Sequence, residues 1–126
     1  ILLWVLQGLL ALLYVCHWWI LVTMTPAREA MFMRWRPGMK PSGLSPAFMK
    51  FIGIAELAAA VGFILPGITG ILPWLIPLAA AGLAIIMLGA IFYHLSRREA
   101  SIVVSTSVLL LLILFLAYMR WLVLPL

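Results

Sequence analysis

The chain has 126 residues, of which 67% are hydrophobic and 9% charged, and its mean hydropathy is +1.29. A soluble domain of this length cannot hide so much apolar surface, so the composition specifies an integral membrane protein. The single cysteine, Cys16, excludes an intrachain disulfide or an internal dithiol pair, and the net charge of +5 is strung along loops beside apolar runs, which points to lipid headgroups rather than nucleic acid. The sequence opens at Ile1 rather than Met, so an initiator segment is expected to precede it.

The first apolar run covers residues 1–24 and is close to the ~20 residues a helix needs to cross the hydrocarbon. A polar stretch, TPAREAMFMRWRPGMKPSGLSP, follows it. There Thr25 can cap a helix beginning at Pro26, and Ala27, Ala30, Met31 and Trp35 recur at helical spacing beside Arg28, Arg34 and Arg36. This is the pattern of a short basic amphipathic helix lying in the membrane interface. The second run, 48–65, ends at PGITGILP, whose Pro66, Gly67, Gly70 and Pro73 carry turn chemistry; the third, 74–95, ends at SRREAS; the fourth covers 102–124. The fold expected is all-α, a four-helix transmembrane bundle with an amphipathic interfacial helix in the first loop, forming a single transmembrane domain over residues 1–126.

Seven of the eight Lys and Arg residues lie in or beside the first and third loops, and only Arg120 lies on the other side. Basic flanks are retained in the cytoplasm, so loops one and three are expected there, with Trp4, Trp74 and Trp121 as an aromatic belt at the outer interface.

Glu56 interrupts an otherwise apolar span, and an intramembrane carboxylate is costly unless it is paired or neutralised. From the inner ends of their spans, Glu56 lies at roughly 12 Å and His17 of the first span at roughly 10 Å, so the two match in depth. Glu56 shares a helix face with Gly53, Ala59 and Ala60, and the third span offers Ala79, Gly82 and Gly89, so the second and third spans are expected to pack closely through small residues. Three readings of His17 and Glu56 stay open. The preferred one is a hydrogen-bonded pair that fixes helix register. The second is a site for a lipophilic head group, such as a quinone carbonyl, flanked by Tyr14, Trp18 and Trp19. The third is a proton relay. His17 and His94 differ too much in depth to ligate one haem, and no His, Cys or carboxylate cluster has metal-ligand spacing. His94, beside Ser96, Arg97 and Arg98, is read as interfacial. Arg120 is read as snorkelling from the end of its span, with pairing to Gln7 as the sharper alternative, and Cys16 as a small buried hydrophobe.

The stretch FIGIAELAAAVGFILPGITGILPWLIPLAAAGLAIIMLGAIFYHLSRRE, together with AYMRW, resembles the DoxX-like family of small four-helix membrane proteins, the similarity running from Leu6 to Trp121. The resemblance implies a four-helix bundle and, loosely, membrane redox systems; relatives include a subunit of thiosulfate:quinone oxidoreductase. It does not imply a defined catalytic set. Where the family's first helix usually ends in a motif of the form GLMKL, this chain has CHWWILVT, so His17 stands for the glycine and Ile20 for the lysine.

With three acids, one cysteine and no nucleotide, flavin or metal motif, the chain is not expected to catalyse redox chemistry alone. The preferred role is a non-catalytic subunit or stabiliser of a larger membrane complex, respiratory or photosynthetic, in a bacterial inner membrane. Its partners are the lipid bilayer and other membrane subunits that meet it at Trp18, Trp19 and the first loop. No cofactor is expected in that role. The alternative is a quinone-binding component of a membrane oxidoreductase, in which a quinone or lipid occupies the Glu56/His17 site.

Overall fold

The computed structural model describes residues 1–38 and 40–125. Its described elements are α1 (Leu2–Val22), α2 (Pro26–Trp35), α3 (Pro46–Thr69), α4 (Leu75–Ser96) and α5 (Ala100–Tyr118), the last continued by a π-helical turn over Met119–Val123. Four helices are long and apolar enough to cross a membrane: α1, α3, α4, and α5 with its π turn. In hydrocarbon every backbone N–H and C=O must be paired within the protein, which is why runs of this composition resolve as helices.

The helix ends follow from local chemistry. Thr25 and Ser45 each accept a backbone N–H through their side chains, from Arg28 and Phe48 at 3.2 Å, and each is followed by a proline in the first helical turn. The helix at Pro26–Trp35 therefore starts where its cap places it. The second span corrects one expectation, since α3 runs through Pro66 to Thr69 instead of ending before the proline. Pro66 forfeits one intrahelical bond, but unwinding there would strand several backbone groups in an apolar surrounding, and the single loss is the smaller cost. The stop comes at Gly70, in the left-handed conformation at φ 69°, whose N–H reaches Pro66 O at 3.0 Å.

Consecutive spans are neighbours: α1 lies on α3, α3 on α4 and α4 on α5, while α1 and α5 touch only sparingly. The shared core contains Leu10, Tyr14, Phe63, Ala80, Leu83, Ile113 and Leu116. Leu9, Leu12, Ile85 and Leu111 are among the large apolar side chains left on the outer surface, as expected where the solvent is lipid. With lipid tails as apolar as leucine, close packing and polar contacts hold such helices together. α3 and α4 approach closely at Gly62, where an added Cβ would stand 2.8 Å from Ala79 Cβ. Gly53 serves a different pair from the one expected: its neighbours are Leu21 and Val22 of α1, each 3.2 Å from where a Cβ would stand. Around Gly82 and Gly89 no atom lies within 4 Å of that position, so they make no such contact.

Candidate functional site

The close passage of α1 over Gly53 brings the next polar residues of both helices together. His17 Nδ1 lies 2.6 Å from Glu56 Oε2, and with the carboxylate ionised the imidazole N–H is the donor. The two partners are unequally buried, the Glu56 side chain being 1% exposed and that of His17 48%. A carboxylate so buried costs several kcal/mol, and one short charge-assisted bond returns part of that. His17, Leu13, Cys16 and Trp19 are all exposed on the outside of α1. Cys16 is thus a surface residue of the span, not a buried one. Of the flanking aromatics, Tyr14 turns into the core and donates its hydroxyl to Met87 Sδ at 3.2 Å, while Trp18 leans on Trp19 with ring centroids 5.9 Å apart.

At the far end of the bundle from the basic loops, Gln7 is fully buried and links three spans. Its amide donates to Phe63 O at 2.6 Å and its carbonyl accepts from Arg120 Nε, also at 2.6 Å. Arg120 does not snorkel. It is 7% exposed, its guanidinium stands 5.5 Å from the Trp4 ring centroid, and Nη1 donates to Leu124 O at 3.2 Å. Arg120 follows buried Leu116 by four residues and buried Ile113 by seven, so helical spacing sets it on the inward face of α5, toward Gln7. One group stays unsatisfied: Nη2 is buried and has no hydrogen-bond partner among the described residues. An unpaired buried N–H costs about 1–3 kcal/mol, and more on a charged group.

The basic end is fully tied. Arg97 Nε donates to Glu99 Oε1 at 2.7 Å, Nη1 to Ser42 O at 3.1 Å and Nη2 to Pro41 O. Tyr93 also donates to Ser42 O, and Ser42 N reaches Glu29 Oε1 at 2.6 Å. His94 Nδ1 is 3.3 Å from Glu99 Oε1, so this interfacial histidine faces a carboxylate. The hydrogen bond to Glu99 raises Arg97 above its ordinary value. Burial alone would lift Glu99, but the bonds from Arg97 and His94 outweigh it and hold the carboxyl below 4.5. Sequence reasoning missed this lock. Its one visible signal was that two of the chain's three acids, Glu29 and Glu99, fall in the basic loops.

Two cavities lie apart from the His17–Glu56 pair. One of about 220 Å³ is bounded by Pro73, Trp74, Pro77, Arg120, Trp121 and Pro125. The other, about 520 Å³, is an apolar groove between α3 and α4 that includes Ala58, Gly62, Ala79, Gly82 and Leu83.

The sequence profile of the DoxX-like family matches residues 5–117, a stretch that takes in all of α3 and α4 with both His17 and Glu56 and stops short of Arg120. No curated protein and no solved structure matches the chain. The family match spans nearly the whole chain and agrees with four apolar membrane-length helices, so this integral membrane protein belongs to the DoxX-like family.

Proposed function

We propose that the chain is a non-catalytic subunit or stabiliser of a larger membrane assembly and meets its partner around the turn of α1 that carries His17, Trp18 and Trp19. The observation that carries this reading is the unequal burial of the polar pair. Glu56 is held inside while half of the His17 side chain remains on the outer surface, and Trp19, two residues on, is 57% exposed. A polar ring facing hydrocarbon is costly until something covers it, and exposed tryptophans supply contact area of the kind that anchors interfaces. An electron-transfer complex is the class of assembly that the family resemblance favours. The excess of Lys and Arg around the first and third loops supports placing those loops in the cytoplasm, in a bacterial inner membrane.

Gentle solubilisation of native membranes tests this. The chain is expected to migrate with a larger complex, and Trp18→Ala with Trp19→Ala to release it, since interface tryptophans commonly carry more than about 2 kcal/mol each. The competing reading is a quinone site, in which the free edge of His17 holds a quinone carbonyl. It predicts a lone protein with bound quinone, and a Glu56→Gln variant that assembles normally yet loses quinone-dependent electron transfer. That result replaces the subunit reading. Orientation is tested in a Cys16→Ala background by labelling Ala30→Cys and Ser101→Cys with an impermeant reagent; both are expected to be shielded in intact cells, and labelling of both reverses the topology.

A further inference from the structure

We infer that the cavity beside Arg120 is a binding site for a phosphate-class oxyanion at the membrane interface, with Arg120 as its cation. The chain has three side-chain carboxylates, and each is committed elsewhere: Glu29 to Ser42, Glu56 to His17, Glu99 to Arg97. The buried guanidinium of Arg120 therefore has no counter-charge among the described residues. Gln7 and Leu124 O satisfy two of its nitrogens, and Nη2 is left without an acceptor. Water could satisfy that N–H group but not the charge, whereas an oxyanion supplies both, and the guanidinium fork matches phosphate geometry.

The rest of the wall narrows the ligand. Three prolines, Pro73, Pro77 and Pro125, contribute no backbone N–H, and among the described residues Arg120 is the only charged one bordering the space. At about 220 Å³ it is smaller than the ~300–1,000 Å³ of a site for a drug-sized molecule, which suits a head group whose apolar remainder stays outside. Trp74 and Trp121 line it and Trp4 faces the guanidinium from behind, so the cavity sits at the level of an aromatic belt, where lipid phosphates are found. The site is independent of the subunit reading above, which concerns α1 at another level of the bundle.

The test uses the purified full chain in a non-ionic detergent and reads its melting temperature during titration with three probes. These are a short-chain anionic phospholipid, its zwitterionic counterpart with the same tails, and inorganic phosphate. The anionic lipid is expected to raise Tm by about 3 °C at saturation and to act at roughly tenfold lower concentration than the zwitterionic one. A response to inorganic phosphate of the same size assigns a free anion as the source; a response to the lipid alone assigns a head group. Arg120→Gln is expected to abolish the preference for the anionic lipid. Should that variant fail to fold, Pro125→Trp, which fills the cavity from an exposed position and leaves the Arg120–Gln7 bond in place, is expected to keep the unliganded Tm and lose the response. Equal responses to anionic and zwitterionic lipid in the wild-type chain, or an undiminished response in the folded variants, overturn the proposal.

Discussion

Arg97 and Arg120 mark opposite ends of the bundle, and each donates through its guanidinium to groups from other parts of the chain. Arg97 has a carboxylate and two carbonyls, so every nitrogen of its guanidinium has an acceptor. Arg120 has an amide and one carbonyl, no carboxylate, and one nitrogen without a partner. Yet Arg120 is the more buried of the two. In a chain of this kind, then, full pairing goes with the loops, where a lock has to hold segments far apart in sequence. The incompletely paired charge sits where packing already fixes the helices and a ligand can finish the set.

The comparison is broken most directly at Gln7. Replacing it with leucine leaves Arg120 Nε without its acceptor and removes the donor to Phe63 O, so two buried groups lose their partners at once. Breaking a buried, charge-bearing hydrogen bond from one side costs about 3–5 kcal/mol. Unfolding of Gln7→Leu in detergent, followed by helix signal, is expected to show a loss near the lower figure, since partners are also found in the membrane-unfolded state. A loss under about 1 kcal/mol means that Arg120 finds other partners and that the ligand argument weakens with it.

Next in size is Gly62, in the turn beside Phe63. The first carbon of a side chain there would stand 2.8 Å from Ala79 Cβ, so the two helices would have to move apart. Gly62→Leu is expected to destabilise by about 1–3 kcal/mol. The control is Gly82→Leu, which enters open space and is expected to change the melting temperature little. Equal losses at both positions sink the assignment of a close approach to Gly62.

Much of this was legible in the sequence for a simple reason: membrane spans are read from local composition, and local composition decides them. The Thr25 cap and the start at Pro26 follow from the same local chemistry. The depth match of His17 and Glu56 was also legible, because the rise per residue is fixed and antiparallel helices convert position into depth. What failed needed rotation about the helix axis. Gly53 lies at the depth expected of it but turned toward α1, and Gly82 and Gly89 lie on α4 without facing a neighbour closely. Arg120 was misread because its nearness to the span end was weighed and its rotation was not: steps of four and seven from Leu116 and Ile113 put it on the buried face. The Arg97 lock depends on pairings 55 residues apart in chain positions without periodicity, so nothing local announces it.

The lock itself gives a sharper, smaller test through pH. Glu99 titrates below its ordinary value of 4.5 in the folded chain, so the stability it contributes is present above that value and is lost as pH falls through the lower folded one. The wild-type chain is expected to exceed Glu99→Gln slightly in melting temperature at neutral pH, the margin being small because the pair is open to solvent. The two are expected to converge once pH has fallen below the lowered folded-state value. A difference that persists there assigns the effect to packing of the side chain instead of its charge.

The smallest effect comes from the residue next to that lock. Arg98 has φ 57°, in the left-handed region that a side chain with a Cβ enters only at a cost. The turn requires it: Arg98 N donates to Leu95 O at 3.1 Å and Glu99 N to His94 O at 3.1 Å, the paired bonds of a Schellman stop, which usually places glycine at this position. The structure holds Arg98 there because Glu99 must follow directly to reach Arg97 and His94. Arg98→Gly is therefore expected to stabilise the chain by about 0.5 kcal/mol, the relief of strain outweighing the greater backbone freedom glycine gains when unfolded. Arg98→Ala, which keeps the Cβ, is expected to show no gain. If alanine stabilises as much as glycine, the benefit comes from removing a positive charge from a crowded basic end, and the backbone conformation is not the cause.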